Sequence, residues 1–324
     1  MKRAALTAEL VAQRLPVPEI SWISGETALG YRNRLRLRVL DSGQLAFFNS
    51  QKHFSCCVLE PELAAELTRL LELTCQRPER LRGVAHVELR SRDDRGSFGL
   101  ALATTPNAQL ELERLQMEFP DYLLGVCGDP NIACQIRELP QHVFAEVPLD
   151  GFWQINTRVN QRLVEHVVRG ASERGVQRAL DLYAGAGNFA LCLARLGIYV
   201  DAVETHASSV EALQRAAQAQ TLPCRGSAER AELACERLAR AGERYDLVVV
   251  DAPRAGAREA LPAILALNAP HLLVCSCNPR SFARDAALLS ARGYRLHALS
   301  AFDMFPQTEH VELLAWLELH NHAR

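Results

Sequence analysis

Cys277 has both the residue type and the position of a catalytic nucleophile. It lies in the run Val274-Cys275-Ser276-Cys277-Asn278-Pro279, which continues a short apolar stretch that predicts a buried strand. Pro279 is typical of a first helical turn, because its missing N–H would have no partner there. The helix start facing Cys277 creates a positive field that favours the thiolate, so we expect covalent catalysis. Strand alternation leaves the neighbouring Cys275 in the packing of the sheet.

A glycine turn in residues 179–191 predicts a cofactor that contains a nucleoside. The segment Ala-Leu-Asp-Leu-Tyr-Ala-Gly-Ala-Gly-Asn-Phe-Ala-Leu runs from a predicted strand into a predicted helix, and Gly185 and Gly187 let a ligand approach the backbone. Glu204 closes the next predicted strand, where a carboxylate can accept both ribose hydroxyls. These residues do not distinguish between NAD and S-adenosylmethionine as the cofactor. For Cys277, the alternative to a nucleophile is a buried structural cysteine.

A row of arginines is the one local sign of a nucleic-acid partner, since the formal net charge is only −2. Arg32, Arg34, Arg36 and Arg38 alternate with mostly apolar residues, which places them on one face of a predicted strand. Such a row could follow a phosphate backbone. The alternative is the solvated face of a half-buried sheet.

The composition predicts a soluble globular protein of the cytoplasm. The chain has 324 residues, 48% of them hydrophobic, and contains no signal peptide and no apolar run of the ~18 residues that a membrane helix needs. Its ten cysteines without an export signal predict reduced thiols. No C-x-x-C pair occurs, and the adjacent Cys56 and Cys57 suit neither a zinc site nor an iron–sulfur cluster, so we predict no metal site.

The chain changes character near residue 148, which predicts two domains. Residues 1–148 contain short alternating runs, including a predicted hairpin at 84–92 and 97–104, and predict a small α+β domain. In residues 149–324 predicted strands alternate with predicted amphipathic helices. The predicted strands are 178–183, 199–204, 245–250, 271–276 and 294–302. This pattern predicts an α/β fold with a doubly wound, mostly parallel sheet, to which residues 310–318 add an antiparallel edge strand.

Five ordered segments of the second half resemble the RNA 5-methyluridine methyltransferase family. The segments, each followed by the family pattern that it resembles, are Gly151–Asn156 (F-x-Q-x-N), Asp181–Phe189 (D-x-Y-x-G-x-G-x-F), Asp251–Gly256 (D-P-P-R-x-G), Ser276–Pro279 (S-C-N-P) and Asp303–Glu312 (D-M-F-P-Q-T-x-H-x-E). The last is more similar to the 23S ribosomal RNA branch than to the transfer RNA branch. The chain departs from the family at Ala252, where proline is usual, and at Ser227, where an acid or amide is common.

The resemblance implies a class I methyltransferase fold, with an α+β RNA-substrate domain at residues 1–148 and an S-adenosylmethionine-dependent methyltransferase domain at 149–324. The implied reaction transfers a methyl group from S-adenosylmethionine to carbon 5 of a uridine in RNA, with 23S ribosomal RNA as the expected substrate. In the family the cysteine that matches Cys277 adds to carbon 6 of the uracil, and the glutamate that matches Glu312 removes the proton from carbon 5. The residues implied to contact the cofactor are Gln154, Tyr183, Gly185, Gly187, Glu204 and Asp251.

The expected partner is a looped or single-stranded uridine target, because the base must leave its stack to reach the nucleophile. We further expect a monomer, without a membrane partner. Three alternatives stay open: a transfer RNA uracil-C5 methyltransferase, a catalytically silent RNA-binding protein of the same fold, and a nicotinamide-dependent oxidoreductase. The last explains the glycine turn but leaves Ser276–Pro279 without a role.

Overall fold

The computed structural model describes residues 2–25, 27–47, 58–93, 95–106, 108, 110 and 112–320. Cys56 and Cys57, on which part of the predicted lack of a metal site rests, lie outside the described residues. None of the helices in the described part of the chain has both the length and the apolar character that a membrane crossing requires.

Strands and helices alternate along the described chain. The strands are β1 (Ile20–Ile23), β2 (Arg34–Val39), β3 (Leu45–Phe47), β4 (Val84–Arg90), β5 (Phe98–Thr104), β6 (Tyr122–Val126), β7 (Cys134–Leu139), β8 (Val143–Pro148), β9 (Arg178–Leu182), β10 (Tyr199–Glu204), β11 (Cys224–Ala228), β12 (Leu247–Asp251), β13 (His271–Ser276), β14 (Tyr294–Phe302) and β15 (Glu312–Leu319). The α-helices are α1 (Lys2–Ala12), α2 (Pro61–Gln76), α3 (Leu112–Glu118), α4 (Thr157–Glu173), α5 (Ala190–Arg195), α6 (Ala207–Ala219), α7 (Ala231–Arg240), α8 (Leu261–Ala266) and α9 (Pro279–Ser290), with 3₁₀ turns at Pro78–Leu81 and Pro140–His142.

The chain divides into two compact units. The first contains the described residues of 1–26, 139–143 and 158–324, and the second those of 27–138 and 144–157. This division differs from the predicted boundary at residue 148 at three places, residues 1–26, 139–143 and 149–157. Residues of α1 belong to the first unit because Leu6 and Leu10 are fully buried in its core. Residues 149–157 belong to the second unit, where Arg90 Nη2 donates to the carbonyl of Gly151 at 2.6 Å.

The first unit contains an eight-stranded sheet in the order β1-β14-β15-β13-β12-β9-β10-β11. All neighbouring strands pair in parallel except β15, which is antiparallel to both β13 and β14. The predicted α/β class with a doubly wound, mostly parallel sheet is confirmed, and the predicted strands 199–204, 271–276 and 294–302 match β10, β13 and β14.

The predicted position of the antiparallel strand at the edge of the sheet is wrong. β15 lies inside the sheet, because β14 pairs on its outer side and β1 extends the sheet beyond β14. Residues 312–317 of β15 are all buried, as expected for a strand covered on both faces. As a result the first residue of β15, Glu312, lies beside the carboxyl end of β13.

The second unit contains a five-stranded sheet in the order β3-β2-β4-β5-β6 and a two-stranded sheet of β7 and β8. The predicted hairpin is present as the antiparallel pair β4 and β5, whereas β5 and β6 pair in parallel. Helix α2 begins with Pro61 and covers the sheet with an apolar face that includes Leu63, Leu67 and Leu70. The α+β character predicted for this region follows from these elements.

Candidate functional site

The carboxyl ends of four neighbouring strands bring most of the predicted site residues to one edge of the first unit's sheet. Tyr183 follows β9, Glu204 ends β10, Asp251 ends β12 and Cys277 follows β13. These strands are parallel, so their carboxyl ends lie along the same edge, where ligands bind to open α/β sheets. Glu312 reaches this edge from the opposite direction, as the first residue of the antiparallel β15.

The glycine turn after β9 has the geometry of a ligand-binding loop. Tyr183, Gly185 and Gly187 all have positive φ angles, of 62°, 55° and 94°. A Cβ atom added at Gly187 would lie 2.8 Å from Leu191 Cγ, so glycine is required there for packing as well as for its backbone angle. An added Cβ at Gly185 would meet no atom within 4 Å. The space beside Gly185 is therefore open to a ligand.

Glu204 is fixed in place by this turn and by its own strand end. Its Oε2 accepts from the backbone N–H of Gly185 at 3.1 Å, and its Oε1 accepts from the backbone N–H of Thr205 and His206 at 2.6 and 2.9 Å. The Thr205 hydroxyl also donates to Oε1, at 3.0 Å, so Oε1 is fully engaged, whereas Oε2 has the Gly185 N–H as its donor among the described residues and can accept a further hydrogen bond. This arrangement fits the predicted role of Glu204 as an acceptor for ribose hydroxyls.

Asp181 is a fully buried acid beneath the same edge. Burial, and then the nearby negative charge of Asp251, raise the pKa of Asp181 well above its usual value. The carboxyl therefore favours its protonated form in the folded protein. This makes the stability of the fold depend on pH in a direction that can be measured.

Asp251, Cys275 and Glu312 form a compact cluster at the ends of β12, β13 and β15. One carboxylate oxygen from each acid and the Cys275 sulfur all lie within 4.8 Å of one another. Cys275 Sγ donates to Glu312 Oε1 at 3.5 Å. Desolvation by burial raises the pKa of Asp251, and burial together with the charge of Asp251 raises the pKa of Glu312. The prediction that Cys275 lies in the packing of the sheet is confirmed, and its thiol in addition donates to Glu312.

Cys277 is half-buried and lies on a cavity of about 310 Å³. Burial and the Glu312 charge raise the pKa of the Cys277 thiol, whereas a hydrogen bond from Arg254 lowers it. The net direction is upward, so the expected stabilisation of the thiolate in the free protein is wrong. Sequence reasoning from the helix start omitted two opposing effects: the loss of solvent around the sulfur and the nearby acid Glu312.

Asn278, which follows Cys277, connects the start of α9 with the loop after β12. Asn278 is the N-cap of α9, and its Oδ1 accepts from the backbone N–H of Arg280 at 3.1 Å. The Nδ2 of the same side chain donates to the carbonyl of Arg254 at 3.2 Å, which ties the loop after β12 to the start of α9. The cavity is lined by Ala5, Glu9, Arg254, Cys277, Asn278, Pro279, Arg280, Glu309 and His310.

Gln154, the remaining predicted cofactor residue, lies in the second unit. Its side chain is buried, and its backbone carbonyl accepts from Asn33 Nδ2 at 2.9 Å. Asn33 also donates to Thr157 Oγ1 at 3.0 Å. These contacts fix the segment that follows β8 against the residues before β2. The contact of Gln154 with a cofactor stays a prediction.

The arginine strand of the second unit lines a cavity of about 420 Å³. As predicted from the alternation, Arg36 and Arg38 are exposed on one face of β2, while Leu35 and Leu37 are buried on the other. Arg34 is half-buried and its guanidinium lies 4.9 Å from the ring centre of Phe152. Burial lowers the pKa of Arg34 to about 10.

Glu88 and Arg90 also line this cavity, and no pattern in the sequence predicts their position there. The register of β2 and β4 sets Arg36 opposite Glu88 and Arg34 opposite Arg90. Glu88 contacts Arg36 at 3.2 Å and Arg90 at 2.8 Å, so it neutralises part of the arginine charge. The position of Glu88 and Arg90 beside the arginines of β2 depends on pairing between strands that are distant in the sequence, so no local pattern indicates it.

Comparison with known proteins agrees with the fold and shows the family. A family model described as tRNA (Uracil-5-)-methyltransferase matches residues 140–320. The chain is 32% identical over 91% of its length to the 23S rRNA (uracil(1939)-C(5))-methyltransferase RlmD of Vibrio parahaemolyticus, and 32% identical over 98% to that of Chromohalobacter salexigens. The alignments cover 71% and 70% of those relatives. The structure is similar to the tRNA (uracil-54, C5)-methyltransferase of Pyrococcus abyssi in complex with S-adenosyl-L-homocysteine, with a TM-score of 0.74, 22% identity, and coverage of 98% of this chain and 81% of that one.

Replacement of Asp181 by asparagine should stabilise the protein increasingly as the pH rises above about 5, because the pKa of Asp181 is raised in the folded protein. The unfolded state loses the Asp181 proton near pH ~3.9, whereas the folded state keeps it to higher pH. The unaltered protein therefore loses up to about 1.4 kcal/mol of stability per pH unit in this window, and Asp181→Asn does not. Urea unfolding at several pH values measures the difference.

Asp201→Asn is the matched control, with the opposite sign. Burial raises the pKa of Asp201, but hydrogen bonds from Arg178 and Tyr245 outweigh it, and the pKa is lowered. The stability that Asp201 contributes is complete above its unfolded pKa, so its loss should be constant over the same window. A constant difference between Asp181→Asn and the unaltered protein would show that Asp181 is ionised in the fold.

Proposed function

The chain belongs to the tRNA (uracil-5-)-methyltransferase family, and on that premise we propose that it methylates carbon 5 of a uridine in RNA with S-adenosylmethionine as the methyl donor. The catalytic residues in this proposal are Cys277 and Glu312. The observation that carries it is that Arg254 and Cys277 line the same cavity, where the Arg254 charge opposes the rise that burial causes in the pKa of both the Cys277 thiol and the Glu312 carboxyl. A single guanidinium thus acts on a nucleophile and a base that come from different strand ends.

Cys277 acts on carbon 6 of the uracil ring. Carbon 5 of uracil is a poor nucleophile, and addition of the Cys277 thiolate to carbon 6 makes the ring an enolate whose carbon 5 is electron-rich. The Arg254 hydrogen bond favours the thiolate against burial and the Glu312 charge, which both oppose it. The cavity of about 310 Å³ beside Cys277 provides room for a base that has left its stack.

Glu312 acts after methyl transfer, when carbon 5 carries both the new methyl group and its original proton. The Glu312 carboxylate accepts this proton, and the electron pair of the C–H bond then expels the Cys277 sulfur from carbon 6. Burial and Asp251 raise the pKa of Glu312, which makes its carboxylate a stronger base than one in water. The uracil leaves methylated, and Cys277 is restored.

The glycine turn supplies the site for S-adenosylmethionine. When bound, this cofactor would supply a sulfonium methyl group that an electron-rich carbon can attack, with the thioether sulfur of S-adenosylhomocysteine as the leaving group. The open space beside Gly185 and the fixed carboxylate of Glu204 fit the backbone approach and ribose recognition that a nucleoside needs. We assign cofactor contacts to Gln154, Tyr183, Gly185, Gly187, Glu204 and Asp251.

We propose 23S ribosomal RNA as the substrate, because the similar proteins of Vibrio parahaemolyticus and Chromohalobacter salexigens are named as methyltransferases of that RNA. The second unit supplies the charge that RNA binding needs, since Arg36 and Arg38 are exposed on β2 and the cavity beside them is lined by further arginines. Transfer RNA is the second candidate, because the family description and the similar Pyrococcus structure both name it. Methylation assays on looped fragments of the two RNAs distinguish them. A monomer in the cytoplasm completes the proposal.

Cys277→Ala should abolish methylation, since the enolate cannot form without the sulfur. Glu312→Gln should still permit thiolate addition and methyl transfer, but proton removal should stop. A covalent protein–RNA adduct that carries the methyl group should therefore accumulate. Denaturing electrophoresis and mass spectrometry detect it. The unaltered enzyme should form the corresponding adduct with 5-fluorouridine RNA, whose carbon 5 has no proton to lose.

Cys224→Ala, at a buried cysteine of β11 in the same sheet, is the control and should retain activity. Methylation by Cys277→Ala at the unaltered rate would exclude covalent catalysis by this residue. A Glu312→Gln variant that turns over normally would assign the base elsewhere.

Glu204→Ala should weaken S-adenosylmethionine binding by about 1–3 kcal/mol, because ribose hydroxyls would lose their acceptor. Titration calorimetry measures the affinity. Glu211→Ala, an equal change of charge on the exposed face of α6, should leave it unaltered. Binding of NADH in place of S-adenosylmethionine would contradict the cofactor assignment.

Replacement of Arg36 and Arg38 together by alanine should reduce the dependence of RNA affinity on salt. Two lost contacts with single-strand phosphates should lower the slope of log K against log salt by about 1.4. Filter binding over a salt series measures the slope. The double variant Arg240→Ala and Arg292→Ala removes the same charge from exposed positions of the first unit and should leave the slope unaltered. Equal slopes in all three proteins would remove the arginine strand from the RNA interface.

A further inference from the structure

Cys275 is a second thiol in the site, and its surroundings differ from those of Cys277. Its side chain is fully buried, whereas Cys277 lines a cavity. Its Sγ donates to Glu312 Oε1 at 3.5 Å and lies within 4.8 Å of a carboxylate oxygen of Asp251. The thiol is thus enclosed between two carboxyl groups at the end of three strands.

The backbone of the sheet fixes this arrangement. Asp251 is opposite Cys275 in the parallel pair β12 and β13, and Leu314 is opposite Cys275 in the antiparallel pair β13 and β15. Glu312 is two residues before Leu314, so its side chain lies on the same face of β15 and leans over the thiol. No movement of a loop is needed to bring the sulfur and the carboxyl together.

Four groups face the Glu312 carboxyl. Asp251 from β12 and Cys277 from the end of β13 both interact with it through charge, Arg254 lies in the loop after β12, and Cys275 donates from β13. Among the described residues, Cys275 is the hydrogen-bond donor to Glu312, and the same S–H also interacts with the Asp251 carboxyl. It engages Oε1 and leaves Oε2 available as a proton acceptor.

We propose that Cys275 is a positioning residue for Glu312: its S–H holds Oε1 and so presents Oε2 to the proton on carbon 5 of the methylated uracil. This role rests on the proposed function, because it concerns the step in which Glu312 acts as a base. Cys275 forms no bond with the substrate. It keeps its proton throughout, and the proton that leaves carbon 5 goes to Glu312.

The electrostatics of the cluster support this division between the two thiols. Burial, and then the charges of Asp251 and Glu312, raise the pKa of Cys275 well above its usual value. Cys275 therefore stays a neutral donor under conditions in which Cys277 reacts. The same hydrogen bond lowers the pKa of Glu312, against burial and Asp251, which raise it. Without the thiol donor, Glu312 would hold its own proton to a higher pH and would be less available as a base.

The test compares three replacements of Cys275 in the full chain. Cys275→Val and Cys275→Ala remove the donor, and Cys275→Ser keeps one. The two variants without a donor should lose about threefold to tenfold in the turnover rate near neutral pH, the factor that one neutral hydrogen bond corresponds to. The acidic limb of their pH–rate profiles should move to higher pH. Cys275→Ser should restore the unaltered profile, and Cys275→Ala serves if the valine variant does not fold.

A second measurement separates positioning from a general effect on structure. Adduct formation with 5-fluorouridine RNA requires Cys277 but no proton removal, so Cys275→Val should form this adduct at the unaltered rate while its turnover on uridine RNA is slower. Cys224→Val, at a buried strand cysteine of the same sheet, is the matched control and should change neither rate.

The outcomes distinguish the positioning role from the proposed function. If the unaltered enzyme forms no 5-methyluridine in ribosomal or transfer RNA fragments, the proposed function is overturned, and the role of Cys275 with it. If 5-methyluridine forms but the donor-free variants keep the unaltered pH profile, only the role of Cys275 is overturned. Equal slowing of adduct formation and turnover would also overturn it, since that result indicates a structural effect.

Discussion

Desolvation of acids at the carboxyl edge of the sheet is the constraint on which the first unit's site depends. Asp181, Asp251 and Glu312 all have raised pKa values, and burial is the first cause in each case. A buried carboxylate is costly unless it is protonated or paired. Burial raises the pKa of Glu312, which makes its carboxylate a stronger base for its proposed role. Arg254 and the thiol of Cys275 are the partners that stabilise the charged form of this carboxyl.

The internal position of β15 brings Glu312, the proposed base, to Cys277, the proposed nucleophile. A strand added at the edge of the sheet would have left Glu312 beyond β14, away from the end of β13. Inserted between β13 and β14, β15 instead sets Glu312 over Cys275 and within electrostatic reach of Cys277. The continuous burial of β15 on both faces stabilises the strand in this position.

In the second unit the charges that must be compensated are those of neighbouring arginines. Its sheet places three arginines around Glu88, so the charge of the row is partly neutralised while Arg36 and Arg38 stay exposed. Arginine keeps its charge when half-buried more readily than lysine would, because its guanidinium is weakly hydrated and can stack on an aromatic ring. The row is therefore both part of the fold and a surface suited to an anionic partner.

The sequence by itself determined the alternation of strands and helices, because apolar periodicity and glycine turns are local properties. The ranges 199–204, 271–276 and 294–302 needed no tertiary information, and the roles proposed for Cys277 and Glu312 come from the ordered motifs of the sequence. Only the tertiary structure decided that β15 is internal, that α1 belongs with the first unit, and that the Cys277 pKa is raised. It alone revealed that Cys275 donates to Glu312 and that Glu88 pairs with the arginines. Each of these depends on which distant strands become neighbours and on how much solvent they exclude, and no local pattern encodes either.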